Sequence, residues 1–293
     1  MTIPRDLPAA TSGWRDLIAL ALAEDVGNGD ITTISTVPAG ATASGTLHAK
    51  EDGILSGVDV AEAVFTIVDP AITYEPLRQN GDRIAAGDTI ARLSGSARSL
   101  LTAERTALNI LQRLSGVATT TARYVAATAG TAATIVDTRK TTPGMRMLEK
   151  RAVLHGGGGN HRFGLADGVL IKDNHLAAIG GDHPVRDAVI SARALAPHTM
   201  KIEVEVTTLE ELQEALEVGA DIIMLDNMDT ATMAEAVNLR DTAAPGTLLE
   251  ASGGITLERI PEIAATGVDL ISVGALTHSA KALDISLEFS LDR

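Results

Sequence analysis

The sequence predicts an α/β barrel preceded by a smaller region rich in short strands. After about residue 117, near-continuous runs of Val, Ile and Leu alternate with helical segments. The runs lie at 134–140, 168–174, 201–206, 221–227, 247–254 and 269–275, the pattern of parallel strands covered on both faces. Each run ends in polar or glycine residues: Arg139-Lys140, Lys172-Asp173, Glu205, Asp226-Asn227, Ser252-Gly253-Gly254 and Gly274-Ala275. Strand ends of that kind are expected where all the C-termini meet on one face and build a site. No G-x-G-x-x-G follows the first run, as a dinucleotide-binding doubly wound sheet would show. The barrel is favoured, with six strands visible and room for one more between 140 and 168.

Taken in order, DLIALALAEDVG reads as a short amphipathic helix with acids at Asp16, Glu24 and Asp25, not as the apolar core of a signal peptide. From 28 to 97 short alternating runs are punctuated by Gly and Asn-Gly, a β-rich, turn-rich pattern. ITYEPLRQNGDRIAAGDTIARLSG resembles the half-barrel of lipoyl and biotinyl carriers. Those carriers need a lysine at a hairpin tip, and residues 76–97 contain none, which argues against that role. RSLLTAERTALNILQRLSG, 98–116, places Leu100, Ala103, Ala107, Leu111 and Leu114 at helical spacing. Gly116 reads as its C-cap, and we set the domain junction there, giving 1–116 and 117–276. Further on, Thr207 or Thr208 is suited to cap a helix, with Glu210 or Glu211 three residues later.

Composition narrows the function. At 293 residues and 45% hydrophobic the chain is long enough for two cores. Aromatics are only 2%, too few for stacking platforms on single-stranded nucleic acid. With no cysteine there are no disulfides or thiolate metal sites, in keeping with a reducing cytosol. No apolar run reaches the roughly 18 residues of a membrane span, so a soluble, cytoplasmic protein is expected. The net charge of −14 argues against a nucleic-acid partner. From Thr138 to His175, however, seven Lys or Arg face three acids, a local +4 that leaves −18 for the rest. Such an island suits a small multiply charged anion. A solvated basic helix face accounts equally for Lys150 and Arg151.

Several groups are equipped for chemistry. Ser252-Gly253-Gly254 and Val273-Gly274-Ala275 follow the last two strands, where α/β barrels hold a substrate phosphate on backbone N–H groups. Glu205 and Asp226 each end a strand. Two carboxylates on one barrel face suit Mg²⁺ or sugar hydroxyls, or else pair with Lys201 or Lys172. No H-x-x-x-H pair points to catalytic zinc, and no G-x-S-x-G elbow to acyl transfer. Arg139, Arg162 and Lys172 lie on different elements that could converge on one mouth. Several cations facing one pocket are costly unpaired, which implies an anionic ligand. From the residues alone the reading is a barrel enzyme for a phosphorylated sugar and a polycarboxylate, with Mg²⁺.

Nearly the whole chain resembles the quinolinate phosphoribosyltransferase (carboxylating nicotinate-nucleotide pyrophosphorylase) family. The resemblance rests on LAEDVGNGDITT (22–33), LLTAERTALNILQRLSG (100–116), DTRKTTPGMR (137–146), GGGNHRFGLADGVLIKDNH (157–175), EVEV (203–206), IMLDNM (223–228), EASGGI (250–255) and ISVGALTHSAKALDISLEF (271–289). It implies a type II phosphoribosyltransferase fold, an N-terminal α/β sandwich domain plus an incomplete α/β barrel, with 277–293 returning to the first domain. It also implies transfer of phosphoribosyl from 5-phosphoribosyl-1-diphosphate to quinolinate, with loss of CO₂ and diphosphate, in NAD biosynthesis. Subunits would pair as homodimers with shared active sites, with assembly into hexamers left open.

By the same resemblance, Arg105 (from the neighbouring subunit), Arg139, His161, Arg162 and Lys172 would hold the quinolinate carboxylates. Lys140 would face the diphosphate end of the donor, whose site would also take in Thr138 and Asp173. Glu205 and Asp226 would serve the ribose and Mg²⁺, directly or through water. The turns Ser252, Gly253, Gly254 and Val273, Gly274, Ala275 would take the 5-phosphate. Lys140, Lys172, Glu205 and Asp226 are thus the expected catalytic set. The glycines at 156–159 would let the connection bearing His161 and Arg162 come close to the barrel mouth. Two alternatives stand beside this reading: a paralogous pyridine-carboxylate or ModD-like phosphoribosyltransferase on the same fold, and a non-catalytic barrel that senses a phosphosugar.

Overall fold

The computed structural model describes residues 13–291. In chain order the elements begin with helices α1 (Gly13–Val26) and α2 (Ile31–Thr36), strands β1 (Thr42–Ala49) and β2 (Gly53–Ile54), and helix α3 (Val58–Val68). Strands β3 (Thr73–Pro76), β4 (Arg83–Ile84) and β5 (Thr89–Ser96) lead into the long helix α4 (Ala97–Ala127). Next come β6 (Thr134–Val136), α5 (Arg146–His155), β7 (Val169–Ile171), α6 (Asp173–Ile179) and α7 (Pro184–Leu195). The alternation continues with β8 (Ile202–Val206), α8 (Leu209–Val218), β9 (Ile222–Asp226), α9 (Thr230–Ala243) and β10 (Leu248–Ser252). The chain closes with α10 (Ile260–Ala264), β11 (Leu270–Ser272), α11 (Ala275–His278) and β12 (Ile285–Leu291).

Two compact units result. Among the described residues the first comprises 13–122, 141–157 and 275–291; the second comprises Arg123–Lys140 and Gly158–Gly274. The sequence-based boundary at 116 therefore differs from this division at α4, and the excursion 141–157 joins the first unit.

In the first unit an antiparallel sheet runs β12-β1-β5-β3. Strand β1 alternates exposed and buried residues, the period of two of a half-covered sheet. Strand β12 lies antiparallel to it, with Ile285 opposite Ala49 and Leu291 opposite Ala43. Helix α4 buries Leu100, Ala103, Ala107, Leu111 and Leu114 to within 1% of full burial, the stripe its spacing predicts.

Helix α4 does not stop at Gly116, contrary to the C-cap reading; it runs eleven residues further, to Ala127. The glycine serves a close approach instead. A Cβ there would lie 2.0 Å from the Lys281 carbonyl oxygen, so the C-terminal segment crosses the helix at a position no other residue permits. Gln112 fixes the crossing: its carbonyl accepts from Leu283 N–H at 3.0 Å, and its side chain donates to the Ile285 carbonyl at 2.6 Å.

One turn earlier, Arg113 donates to Glu149 Oε1 at 3.0 and 2.8 Å, to the Ala280 carbonyl at 2.9 Å and to the Thr277 carbonyl. Glu149 is fully buried and also accepts from Thr142 N–H at 3.0 Å and its hydroxyl at 2.8 Å. The basic island splits accordingly. Lys150 is buried rather than on a solvated face, and Arg151 forks onto Asp59 with two bonds of 2.8 Å.

The second unit holds a parallel sheet ordered β6-β11-β10-β9-β8-β7, all six expected strands. Strands adjacent in sequence are adjacent in the sheet except β6 and β7, which form its two ends. This is a barrel with one seam open, and the connection from 140 to 168 adds no seventh strand. At that seam Gly159 bridges to Val136, donating to Ile135 O at 2.8 Å while its carbonyl accepts from Asp137 N–H at 3.1 Å. The Thr208 hydroxyl caps α8 by accepting from Glu211 N–H, and the Glu211 carboxylate accepts in return from Thr207 N–H at 2.7 Å.

Replacing Arg113 by Ala strands the buried Glu149 carboxylate. Urea unfolding should lose about 3–5 kcal/mol of stability. Replacing Lys50, whose ion pair with Glu288 is exposed, should cost under about 1 kcal/mol.

Candidate functional site

Side chains two apart on a strand share a face, and this parity builds the interior of the barrel. Strand β8 is buried along its whole length, so Glu203 and Glu205 face one way together while Ile202, Val204 and Val206 face the other. Register aligns Glu205 with Met224 of β9, and Met224 with Glu250 of β10. Ser252 then shares a face with Glu250, and Asp226 with Met224. Polar residues thus form stacked rings inside a wall whose outer face is aliphatic.

Above these rings a cavity of ≈ 340 Å³ is lined by Thr138, Arg139, Lys140, His161, Arg162, Lys172, Glu250, Ser252 and Ser272, with Leu170 and Met224 as apolar wall. Lys172 follows β7, and its ammonium bonds to the Glu205 carboxylate, the ion pair foreseen as one alternative. Arg162 reaches the Gly168 carbonyl at 3.1 Å. Burial, then the neighbouring Arg139, makes its guanidinium easier to deprotonate than an ordinary one. The Nε atoms of Arg139 and Arg162 are buried with no hydrogen-bond partner. Buried donors normally find acceptors, so two such arginines side by side mark a place for an anion.

His161 and Arg162 come from the plug at the open seam, not from a strand. Asp137, fully buried beyond β6, secures them by accepting from His161 N–H at 2.9 Å and from the Asn160 side chain at 2.7 Å. His155, although in the same glycine-rich stretch, ends α5 in the first unit and bonds to the Ser56 hydroxyl at 2.8 Å.

The imidazole of His161 has a defined tautomer. Its Nδ1 accepts from Arg162 N–H at 2.7 Å, so the proton sits on Nε2. Nε2 lies 3.0 Å from Glu203 Oε2 and 3.6 Å from Glu250 Oε2. Both glutamates are buried, and neither oxygen of Glu250 has a hydrogen-bond partner. Burial, then the adjacent Glu203, pushes the Glu250 carboxyl up to about 7. The three side chains have the spacing of a metal site. With the proton on Nε2, however, the imidazole has no lone pair to give a cation there.

Most of the remaining expected residues lie at or just after strand ends of the same unit. Asp226 closes β9 and accepts from Asn227 Nδ2 at 2.8 Å. Asn227 has φ +54° and crowds Gly253, where a Cβ would meet Asn227 Oδ1 at 2.4 Å. Gly253 and Gly254 have φ +86° and +57°, backbone that favours glycine. Val273 N–H bonds to Val136 O at 2.9 Å, and Gly274 follows it. Asp173 opens α6 and accepts from Asn174 N–H at 2.7 Å. Arg105, exposed on α4, and Ala275 belong to the first unit.

Glu203, Glu250 and Asp137 were not singled out from the sequence. The signal was there for the first two. In IEVEV the two glutamates share parity, and in LLEAS so do Glu250 and Ser252, so one inward residue implies the other.

The raised Glu250 carboxyl has a stability consequence. Between the unfolded value of 4.5 and about 7 the folded state holds the extra proton, so stability falls as pH rises through that window. Glu250→Gln should abolish this decline. Urea midpoints at pH values on either side of the window test it.

Residues 30–115 match the family model "Quinolinate phosphoribosyl transferase, N-terminal domain", and residues 117–288 match that of its C-terminal domain. The nicotinate-nucleotide pyrophosphorylase [carboxylating] of Mycobacterium leprae is 48% identical over 277 residues, 94% of this chain and 96% of the relative. The probable nicotinate-nucleotide pyrophosphorylase [carboxylating] of Bacillus subtilis is 45% identical, over 92% and 90% of the two chains. The crystal structure of NadC from Streptococcus pyogenes superposes with a TM-score of 0.89 at 43% identity, covering 95% and 96%.

Proposed function

The chain belongs to the quinolinate phosphoribosyltransferase family, and from that premise we propose that it joins quinolinate to 5-phosphoribosyl-1-diphosphate. The products are nicotinate mononucleotide, CO₂ and diphosphate, in a step of NAD biosynthesis. The observation that carries the reading is the pair of half-buried arginines, Arg139 and Arg162, whose buried Nε donors are unsatisfied beside His161 and Lys172. A planar dicarboxylate answers those donors with two charges and several acceptor oxygens.

The residue roles follow from position and charge. Arg139, Arg162, His161 and Lys172 hold the acceptor, and Arg105 of a second copy of the chain completes the clamp. Lys140 and Thr138 face the diphosphate of the donor, with Asp173 at the edge of the same site. The glycine turns at 252–254 and 273–275 take the 5-phosphate on backbone N–H groups. Before substrates arrive, Lys172 and Glu205 neutralise each other. Quinolinate then draws off Lys172, and Glu205 turns to the ribose. Glu205 and Asp226 offer hard carboxylate oxygens on neighbouring strands, a donor set that suits Mg²⁺ directly or through water. When bound, Mg²⁺ neutralises the departing diphosphate. As the C1–oxygen bond breaks, positive charge gathers on the ribose, and Glu205 and Asp226 stabilise it. The clamped acceptor presents its ring nitrogen in line with C1. Homodimers in the cytoplasm fit this reading, as does the absence, among the described residues, of any helix long and apolar enough to cross a membrane.

Purified protein given Mg²⁺, phosphoribosyl diphosphate and quinolinate labelled in its 2-carboxylate should release labelled CO₂. No release would sink the assignment, and equal use of nicotinate would favour the paralogous alternative. Arg105→Ala and Lys172→Ala should each be nearly inactive alone. Mixed under conditions that exchange subunits, they should regain part of the activity; no recovery would remove Arg105 from a shared site.

A further inference from the structure

We infer that Glu250 is the general acid that protonates the ring carbon exposed when CO₂ leaves; the inference rests on the reaction proposed above. That reaction consumes a proton. The bond from C2 to its carboxylate breaks, CO₂ departs, and the electron pair stays on C2 beside the ribosylated nitrogen. The pair must then capture a proton to give the C2–H of the product.

Three observations single out Glu250. It lines the substrate cavity, yet its residue exposure is 0% and its carboxyl oxygens have no hydrogen-bond partner. Its neighbours leave no room for a second negative charge. Glu203 lies on the adjoining layer, and the Nε2–H of His161 that both carboxylates face is 3.0 Å from Glu203 and 3.6 Å from Glu250. One donor cannot stabilise two buried anions, so the pair keeps a proton of its own, and Glu250, farther from the imidazole and more deeply buried, holds it. The other protons around the cavity are poorly placed for transfer. A guanidinium does not give one up, Lys172 is held by the acceptor's carboxylate once drawn from Glu205, Lys140 faces the diphosphate of the donor, and His161 would be left an imidazolate. The titratable groups facing Glu250 are Glu203 on β8, the neutral His161 on the plug and Lys172 after β7, with the Ser272 hydroxyl of β11 beside it.

A second cavity of ≈ 370 Å³ supplies the return path. It is lined by residues at the starts of the strands, Val169, Lys201, Ile222 and Leu270, and shares His161, Arg162 and Glu250 with the first. Glu250 therefore stands in the wall between two cavities. After transfer it is a carboxylate, and it can regain a proton from the far side while substrates fill the mouth. An acid whose pKa lies near the working pH is the most effective donor.

Glu250→Gln keeps the shape and removes the transferable proton. With saturating substrates and Mg²⁺, its kcat should fall on the order of 100-fold, while calorimetry still shows quinolinate binding. Wild-type kcat should decline as pH rises through an alkaline limb at or above about pH 7, and E250Q should lack that limb. Burial still raises the carboxyl in Glu203→Gln, but the second cause, the neighbouring charge, is gone, so the limb should move to lower pH. The resting wild type should also show, at neutral pH, a protonated-carboxyl infrared band that E250Q loses. A wild-type kcat and limb in E250Q, an unmoved limb in E203Q, or no such band would each overturn the inference. If the wild type released no CO₂, the proposed reaction itself would fall, and the infrared band would still report separately on Glu250.

Discussion

Carboxylates placed inside a barrel are the constraint on which the second unit depends. Strand β8 turns Glu203 and Glu205 inward, and β10 adds Glu250, all within 7% of full burial. Anions at that depth are tolerated only if each is paired or protonated. Lys172 answers Glu205, the imidazole of His161 answers Glu203, and a bound proton answers Glu250. The side chains drawn in to balance the interior, Lys172 and the neutral His161, also face the substrate cavity.

Much of this was legible in the sequence. The six parallel strands stood out because strands covered on both faces leave long aliphatic runs, and their polar ends located the mouth. Arg139, Lys140, Lys172 and Ser252 stand out on that ground, Arg162 as a cation on another element, and all five line one cavity. Glu203 and Glu250 escaped because they lie within strands, where a polar residue reads as an interruption instead of as an inward face. Counting parity from Glu205 and Ser252 recovers both. Asp137 sits beyond the last residue of β6, and no local signal shows that its partners lie 23 and 24 residues on.

The error at Gly116 has a different cause. A glycine after a periodic helical run is a sound C-cap signal, because helix ends favour left-handed backbone. Here the reason for glycine is tertiary, the approach of the Lys281 carbonyl, and nothing within a window of α4 reveals it. The same holds for Arg113. Its partners come from 149, 277 and 280, so its worth to the first unit appears only when three separated stretches are seen together.

The open seam divides the work of recognition between two kinds of structure. The residues proposed to face the sugar phosphate, Glu205, Asp226 and the glycine turns, sit in or directly after strands of the hydrogen-bonded wall of the barrel. His161 and Arg162 ride on a short stretch of chain that closes the gap between β6 and β7 and is fastened largely by Asp137. A stave is missing, and the piece filling the gap carries two of the side chains proposed to hold the acceptor. Such a barrel is free to change what it modifies by exchanging the filler, while the apparatus that delivers the phosphoribosyl group stays as it was.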